Sequence, residues 1–142
     1  ALTESWAALD EVSNNHLMLG HLVRWFYSGT LGIDQAGGSV GYASLVLKPQ
    51  VVEGLEWARG EYLSPRGRIA SSWRKEPGWL LLEFEIPVNA TAEVHLPVTA
   101  GTRILESGRA LEGREDVAVR SRTEDRAVVA LGSGRYVFEV AR

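Results

Sequence analysis

The chain has 142 residues, of which 45% are hydrophobic and 23% charged, and its formal net charge is −3 at pH 7. This length suits one domain that buries about 70% of its unfolded surface, and the composition is that of a soluble globular protein. The acidic balance disfavours a nucleic-acid partner, because such a partner selects for a basic stripe. The absence of cysteine excludes disulfide bonds and thiolate metal sites but leaves the cellular compartment open. The sequence shows neither the ~18 consecutive apolar residues of a membrane span nor the charged start of a signal peptide.

The first part of the chain predicts a helix from Asn15 to about Gly29, with Ser13 and Asn14 as N-cap residues. Apolar residues recur at helical spacing along it: Leu19, Leu22, Val23, Phe26 and Tyr27. Further apolar residues lie on its other faces: Leu17, Met18 and Trp25. A helix that is apolar around most of its circumference is normally buried on several sides. Because the chain also begins with Ala1 rather than Met, we expect it to be part of a longer protein.

The rest of the chain predicts short strands separated by turns. These are Tyr42–Leu47, Leu55–Leu63, Arg68–Lys75, Leu80–Ile86, Ala92–Leu96, Arg103–Ser107, Val117–Ser121, Ala127–Leu131 and Tyr136–Val140. Strand alternation places Ile69 and Ser71 on one face and Ala70 and Ser72 on the other. Many short strands at this spacing predict an antiparallel β-sandwich.

A glycine-rich stretch separates the two regions and predicts a flexible linker. The expected parts are a helical region of residues 1–33, a linker of residues 34–41 and a sandwich of residues 42–142. The predicted fold class is therefore mainly β, an antiparallel sandwich preceded by one α-helix.

Short motifs in both regions occur in an order that resembles a known family. In the helical region they are Asn15-His16, Gly20, Trp25-Phe26-Tyr27 and Leu31-Gly32-Ile33. In the strand region they are Lys48-Pro49-Gln50, Ser64-Pro65-x-Gly67-x-Ile69-x-Ser71-x-Trp73, Ile86-Pro87-Val88-Asn89, Ile104-Leu105-Glu106-Ser107-Gly108 and Leu131-Gly132-Ser133-Gly134-x-Tyr136-x-Phe138. Together they resemble the C-terminal part of bacterial α-L-rhamnosidases. The resemblance implies that the helix is the last one of an (α/α)₆ catalytic barrel and that the strands form the family's C-terminal β-sandwich.

The resemblance also implies a catalytic role for Glu4. Members of this family remove terminal α-L-rhamnose with inversion, which requires an acidic and a basic carboxyl group roughly 6.5–9.5 Å apart. Thr3-Glu4-Ser5-Trp6 resembles the segment that carries the base, so that Glu4 would deprotonate the attacking water. The alternative is an exposed glutamate in a frayed terminus. The family's general acid lies on an upstream stretch that this sequence lacks, so the chain alone is expected to be inactive.

Two further residues match sugar contacts of the family. His16, in the Asn-His pair, would donate a hydrogen bond to a sugar hydroxyl, or alternatively assist the helix cap. Trp6 would stack on a sugar face, or alternatively pack inside the barrel. Because Glu4 and His16 lack a third ligand at metal-binding spacing, neither a metal nor another cofactor is predicted.

Two functions remain open from the sequence. The first is a C-terminal fragment of an inverting α-L-rhamnosidase whose sandwich braces the barrel. Its partners are the rest of the barrel and, in the intact enzyme, rhamnosides. The second is a non-catalytic sandwich that binds carbohydrate through Trp57 or Trp79, or that has a structural role only. Tryptophans on strands are more often core or sheet-face residues than sugar platforms. In either case, the apolar helix of residues 15–29 is expected to self-associate or to pack back on the sandwich.

Overall fold

Two β-sheets packed face to face form most of the computed structural model, which describes residue 3 and residues 5–7, 9–111, 114 and 117–142. The strands are β1 (Ile33–Gln35), β2 (Ser44–Leu47), β3 (Trp57–Ser64), β4 (Gly67–Glu76), β5 (Trp79–Ile86), β6 (Thr91–Pro97), β7 (Ile104–Glu106), β8 (Arg109–Ala110), β9 (Ala118–Arg122), β10 (Arg126–Leu131) and β11 (Gly134–Ala141). The five-stranded sheet has the order β1-β2-β6-β10-β9, and the six-stranded sheet has the order β3-β4-β5-β11-β7-β8. Among these strands, β2 and β6 pair in parallel and the other neighbours pair antiparallel. The predicted fold class, a mainly β sandwich, is confirmed.

One hydrophobic core lies between the sheets and takes side chains from both. Val94 of β6, for example, is completely buried. The alternation predicted for β4 is confirmed, because Ile69 and Ser71 are buried whereas Ala70 and Ser72 lie on the outward face and are half-buried. Strand alternation therefore determines which side chains enter the core and which remain on the surface.

A helical segment of residues 17–30 precedes β1. It consists of a 3₁₀ turn (Leu17–Gly20), the α-helix α1 (His21–Trp25) and a π turn (Phe26–Thr30). The prediction of a helix here is confirmed, but the predicted N-cap was wrong. The cap is His16, where the backbone is still extended, rather than Ser13 or Asn14. The Asn14 side-chain amide instead donates to the carbonyl oxygen of Leu9 (3.3 Å). None of the described helices combines the length and the apolar character that crossing a bilayer requires.

The end of the helical segment is fastened to the inner face of β3 and β4. Trp73 Nε1 donates a hydrogen bond to the carbonyl oxygen of Thr30 (2.9 Å). Ser71 Oγ donates to the carbonyl oxygen of Leu31 (2.6 Å). The Leu31 side chain fills the space beside Gly60, where any Cβ would overlap it. These buried bonds satisfy carbonyl groups that would otherwise lose their hydrogen bonds on leaving water.

Two of the sequence motifs meet where β1 begins. The Lys48 N–H donates to the carbonyl oxygen of Gly32 (2.8 Å), and the Gln50 N–H donates to that of Gly29 (3.1 Å). Gly32 has a φ of +67°, and a Cβ at this position would collide with the backbone of Lys48. Position 32 therefore requires glycine both for its left-handed backbone and for the close approach of the Lys48–Gln50 turn.

Two short strands were not predicted from the sequence. β1 has three residues and β8 has two, which is too few to display a period-two pattern. β1 pairs with β2, with Ile33 opposite Leu47, and so joins the five-stranded sheet. Residues 34 and 35, expected in the linker, are thus part of a strand. The division of the chain into domains stays a prediction.

Candidate functional site

The residues with predicted catalytic roles lie near the N-terminus. Glu4, the predicted base, falls outside the described residues. Trp6 is fully exposed in a turn. His16 is half-buried at the start of the helical segment and makes no side-chain cap bond. Within the described residues, no hydrogen bond or ring contact joins Trp6 to His16, so the structure does not bring these two side chains together.

The same region contains no assembled metal centre in the ranges that the structure describes. There, no group of three or more histidine or acidic side chains is arranged to hold a metal ion. The roles of Glu4, His16 and Trp6 stay predictions.

A second candidate site is a groove on the outward face of the six-stranded sheet, which we call the sheet groove. It has a volume of about 630 Å³ and crosses β3, β4, β5 and β11. This volume falls within the range of small-molecule sites, roughly 300–1,000 Å³. Small or apolar outward side chains contribute to its floor: Ala70, Ser72, Leu81 and Val137.

Charged side chains at the ends of the sheet groove are paired with one another. The ion pairs are Arg68 with Glu61 (2.8 Å), Arg135 with Glu85 (3.2 Å) and Arg74 with Glu76 (2.5 Å). Their exposure limits the contribution of each pair to stability to about 0–1 kcal/mol. Their main consequence is that the ends of the groove carry little net charge.

The centre of the sheet groove carries three polar side chains in a row, which we call the polar row. Arg59 of β3 lies opposite Ser72 of β4, and Ser72 lies opposite Glu83 of β5. None of the three side chains has a hydrogen bond or ion pair to another described residue. Trp57, two residues before Arg59 and on the same face of β3, is 65% exposed.

The sequence predicts Trp57 as a core or sheet-face residue and makes it a sugar contact only under the alternative of a carbohydrate-binding sandwich. The structure places Trp57 exposed on the sheet face, and its contact with sugar stays a prediction. The polar row was not predicted, because its alignment depends on the register of three strands. Alternation assigns a residue to one face of its strand but does not fix which residues lie opposite each other.

A third feature is an exposed apolar surface on the helical segment, which we call the helical apolar surface. Its side chains are Leu17, Met18, Leu22, Val23, Trp25, Phe26 and Tyr27. Leu17 is 77% exposed and Leu22 is 58% exposed. Single exposed apolar residues are ordinary, but a run of them along one short segment is typical of an interaction surface.

Three tyrosines connect the helical apolar surface to the sandwich. The ring centroids of Tyr27 and Tyr62 are 6.4 Å apart, and those of Tyr62 and Tyr42 are 5.0 Å apart. Burial raises the pKa of the Tyr42 hydroxyl above its usual range, and the neighbouring Tyr62 raises it further. The protonated form of Tyr42 is therefore favoured in this cluster.

Comparison with protein families identifies the relatives of this chain. Residues 32–110, more than half of the chain, match the family model of the bacterial alpha-L-rhamnosidase C-terminal domain. The chain belongs to this family. The matched range begins at Gly32, where the helical segment has ended, and runs to the end of β8. The resemblance observed in the sequence is thereby confirmed.

Individual α-L-rhamnosidases resemble the chain over most of its length. The enzyme of Streptomyces avermitilis is 30% identical over 128 residues, which cover 90% of this chain and 12% of the relative. The enzyme of an Alteromonas species is 32% identical over 94 residues, which cover 63% of this chain and 10% of the relative. The solved α-L-rhamnosidase of Dictyoglumus thermophilum superimposes with a TM-score of 0.84 at 26% identity, over 100% of this chain and 16% of that one. The chain thus spans between a tenth and an eighth of the length of these two curated relatives.

Proposed function

We propose that the chain is the C-terminal domain of an α-L-rhamnosidase that removes terminal α-L-rhamnose with inversion, and that its sandwich braces the catalytic barrel. Membership of the rhamnosidase C-terminal domain family supports this proposal. The observation that carries it is the helical segment, which is fastened to the sandwich at one end and exposes apolar side chains along the rest.

The helical segment has the properties of a joint between two parts of a protein. Helices shorter than about 12–15 residues are marginally stable in water, so this segment depends on packing. Its C-terminal end obtains that packing from Trp73 and Ser71. The apolar side chains of the helical apolar surface lack such packing. Burying a side chain of leucine size would contribute about 1.5–3 kcal/mol to stability. The rest of the catalytic barrel is the partner that would cover the helical apolar surface.

The N-terminal residues contribute to catalysis only in the intact enzyme. In this proposal Glu4 is the general base, His16 donates a hydrogen bond to the sugar and Trp6 stacks on its face. The general acid that protonates the leaving group belongs to the rest of the barrel. An inverting mechanism needs both carboxyl groups, so the isolated chain lacks the means to cleave a glycoside.

The direct test is hydrolysis of an aryl α-L-rhamnoside. The isolated chain and its Glu4→Gln variant are both expected to show only the uncatalysed rate. In the longer enzyme, Glu4→Gln is expected to lower kcat by at least about 10²-fold, whereas Glu53→Gln, at an exposed loop position, leaves kcat unchanged. Turnover by the isolated chain that disappears in Glu4→Gln would contradict the proposal that this chain alone is inactive.

A further inference from the structure

We propose that the sheet groove is a binding site for a neutral saccharide of one or two rings, with Trp57 as the stacking platform and the polar row as the hydrogen-bonding partners. Neither Trp6 nor His16 lines this site, and its existence does not depend on the activity of the longer enzyme.

Trp57 has the exposure and the surroundings of a ligand contact. It is 65% exposed, whereas Trp73, on the neighbouring strand, is 1% exposed. An exposed indole presents a large flat apolar face beside a polar edge. The C–H groups on one side of a pyranose ring offer a matching flat apolar surface. Trp57 therefore supplies the apolar half of a saccharide site.

The polar row supplies the complementary half. The Arg59 guanidinium only donates hydrogen bonds, the Glu83 carboxylate only accepts them, and the Ser72 hydroxyl does both. Adjacent strands lie about 4.8 Å apart, so the backbone positions of Arg59 and Glu83 are separated by about 10 Å. Sugar hydroxyls both donate and accept, which lets neighbouring hydroxyls of one ligand satisfy all three side chains. Because these side chains have no partner among the described residues, a ligand would not have to break existing ion pairs.

The charge of the groove selects a neutral ligand. Arg59 and Glu83 carry opposite charges, and the other charged side chains at the rim form pairs. A phosphate or an acidic peptide would be attracted by Arg59 but repelled by Glu83, while Glu85 is already paired with Arg135. A neutral polyhydroxylated ligand benefits from both signs of charge through charge-assisted hydrogen bonds.

The position of the sheet groove leaves it open when the helical segment is docked. Thr30 and Leu31 bond to Trp73 and Ser71, which lie on the inward face of β4. Ser72, between these two residues, points to the outward face where the groove lies. Packing of the helical segment and filling of the groove thus use opposite faces of the same strand.

The test is a titration of the 142-residue chain, labelled with ¹⁵N, with methyl α-L-rhamnoside, methyl α-D-glucoside and maltose, and with sodium galacturonate as the anionic comparison. At least one neutral saccharide is expected to shift amide resonances of β3, β4 and β5. The dissociation constant is expected to increase at least about tenfold in Trp57→Ala, Arg59→Ala and Glu83→Gln. Trp57→Phe is expected to restore part of the affinity, because it restores an aromatic face.

The matched control is Trp25→Ala, which removes another exposed tryptophan that does not line the groove. It is expected to leave the affinity unchanged. An unaltered thermal midpoint in every variant shows that the fold is intact, as expected for exposed positions. The proposal is overturned if none of the three neutral saccharides binds, if binding survives Trp57→Ala, or if galacturonate binds more tightly than the neutral ligands.

Discussion

The indole nitrogen of Trp73 donates a hydrogen bond to the carbonyl oxygen of Thr30 across 2.9 Å. Both residues are buried, and Trp73 is among the largest side chains of the core. The bond connects the last residue of the helical segment to β4, the second strand from one edge of the six-stranded sheet. The bond fixes the helical segment to the sandwich. We propose that this segment in turn packs against the rest of the catalytic barrel.

Replacing Trp73 with phenylalanine tests this connection. The variant keeps an aromatic ring but leaves the Thr30 carbonyl without its donor, so the free energy of unfolding is expected to fall by about 1–3 kcal/mol. Urea denaturation measures the change. The control Trp57→Phe alters an exposed tryptophan and is expected to change stability by less than about 0.5 kcal/mol. Equal effects of the two substitutions would show that the buried bond contributes nothing.

Gly32→Ala tests the close contact between Gly32 and the Lys48–Gln50 turn. The left-handed backbone costs about 1–2 kcal/mol for an alanine, and the collision with the Lys48 backbone adds about 1–3 kcal/mol. The control is Gly38→Ala, which has a similar φ of +76° but no neighbouring atom within 4 Å of the added Cβ. Gly38→Ala is expected to show the backbone cost alone. If denaturation shows that Gly32→Ala and Gly38→Ala lose the same free energy of unfolding, the contact of Gly32 with the turn has no steric importance.

These contacts show how far the sequence determines the fold. Alternation along β4 predicted which side of the strand is buried, because each residue's face depends only on its position in the strand. The contact of Gly32 with Lys48 and the bond from Trp73 to Thr30 could not be derived in the same way. They depend on how a turn and a helical segment approach the sheet, which is tertiary information.

The candidate sites show the same limit. The sequence predicts that Trp57 and Trp73 both lie on strands, and these strands are neighbours. Trp57 is nevertheless exposed, whereas Trp73 lies in the core. The polar row required the register of three strands before its members could be recognised as neighbours. The helical segment begins two residues later than predicted, at Leu17, and its N-cap His16 makes no side-chain cap bond.

Alkaline pH is expected to loosen the tyrosine cluster. The pKa of Tyr42 is raised by burial and then by Tyr62, so the folded state holds the proton more tightly than the unfolded state. The associated stability is fully present below the ordinary tyrosine pKa of about 10 and is lost as the pH rises toward the raised value. Urea denaturation over a series of alkaline pH values should show this decline in the native chain. Tyr42→Phe is expected to reduce the fall of the free energy of unfolding with pH. The control Tyr27→Phe is expected to leave this pH dependence unchanged. A Tyr42→Phe chain with the native pH dependence would exclude Tyr42 as its cause.

In the isolated chain, self-association is expected to occur through the helical apolar surface. The double variant Leu22→Ser and Val23→Ser removes two exposed apolar side chains and should shift the chain toward monomer. Sedimentation velocity over a range of concentrations measures the change. The control Val119→Ser removes an exposed valine from β9 and should leave association as it is. A concentration-independent monomer before any substitution would contradict the prediction.

The bracing role is tested most directly by hydrogen–deuterium exchange, measured on this chain alone and on the longer rhamnosidase polypeptide that we propose contains it. We predict that the amides of residues 21–27 exchange readily in the isolated chain, since short exposed helical segments open at little cost, and that they become protected in the longer protein. The amides of Leu45 and Val94, in the core of the sandwich, should exchange slowly in both. Equal exchange of residues 21–27 in the two proteins would show that nothing covers the helical apolar surface, and would contradict the account.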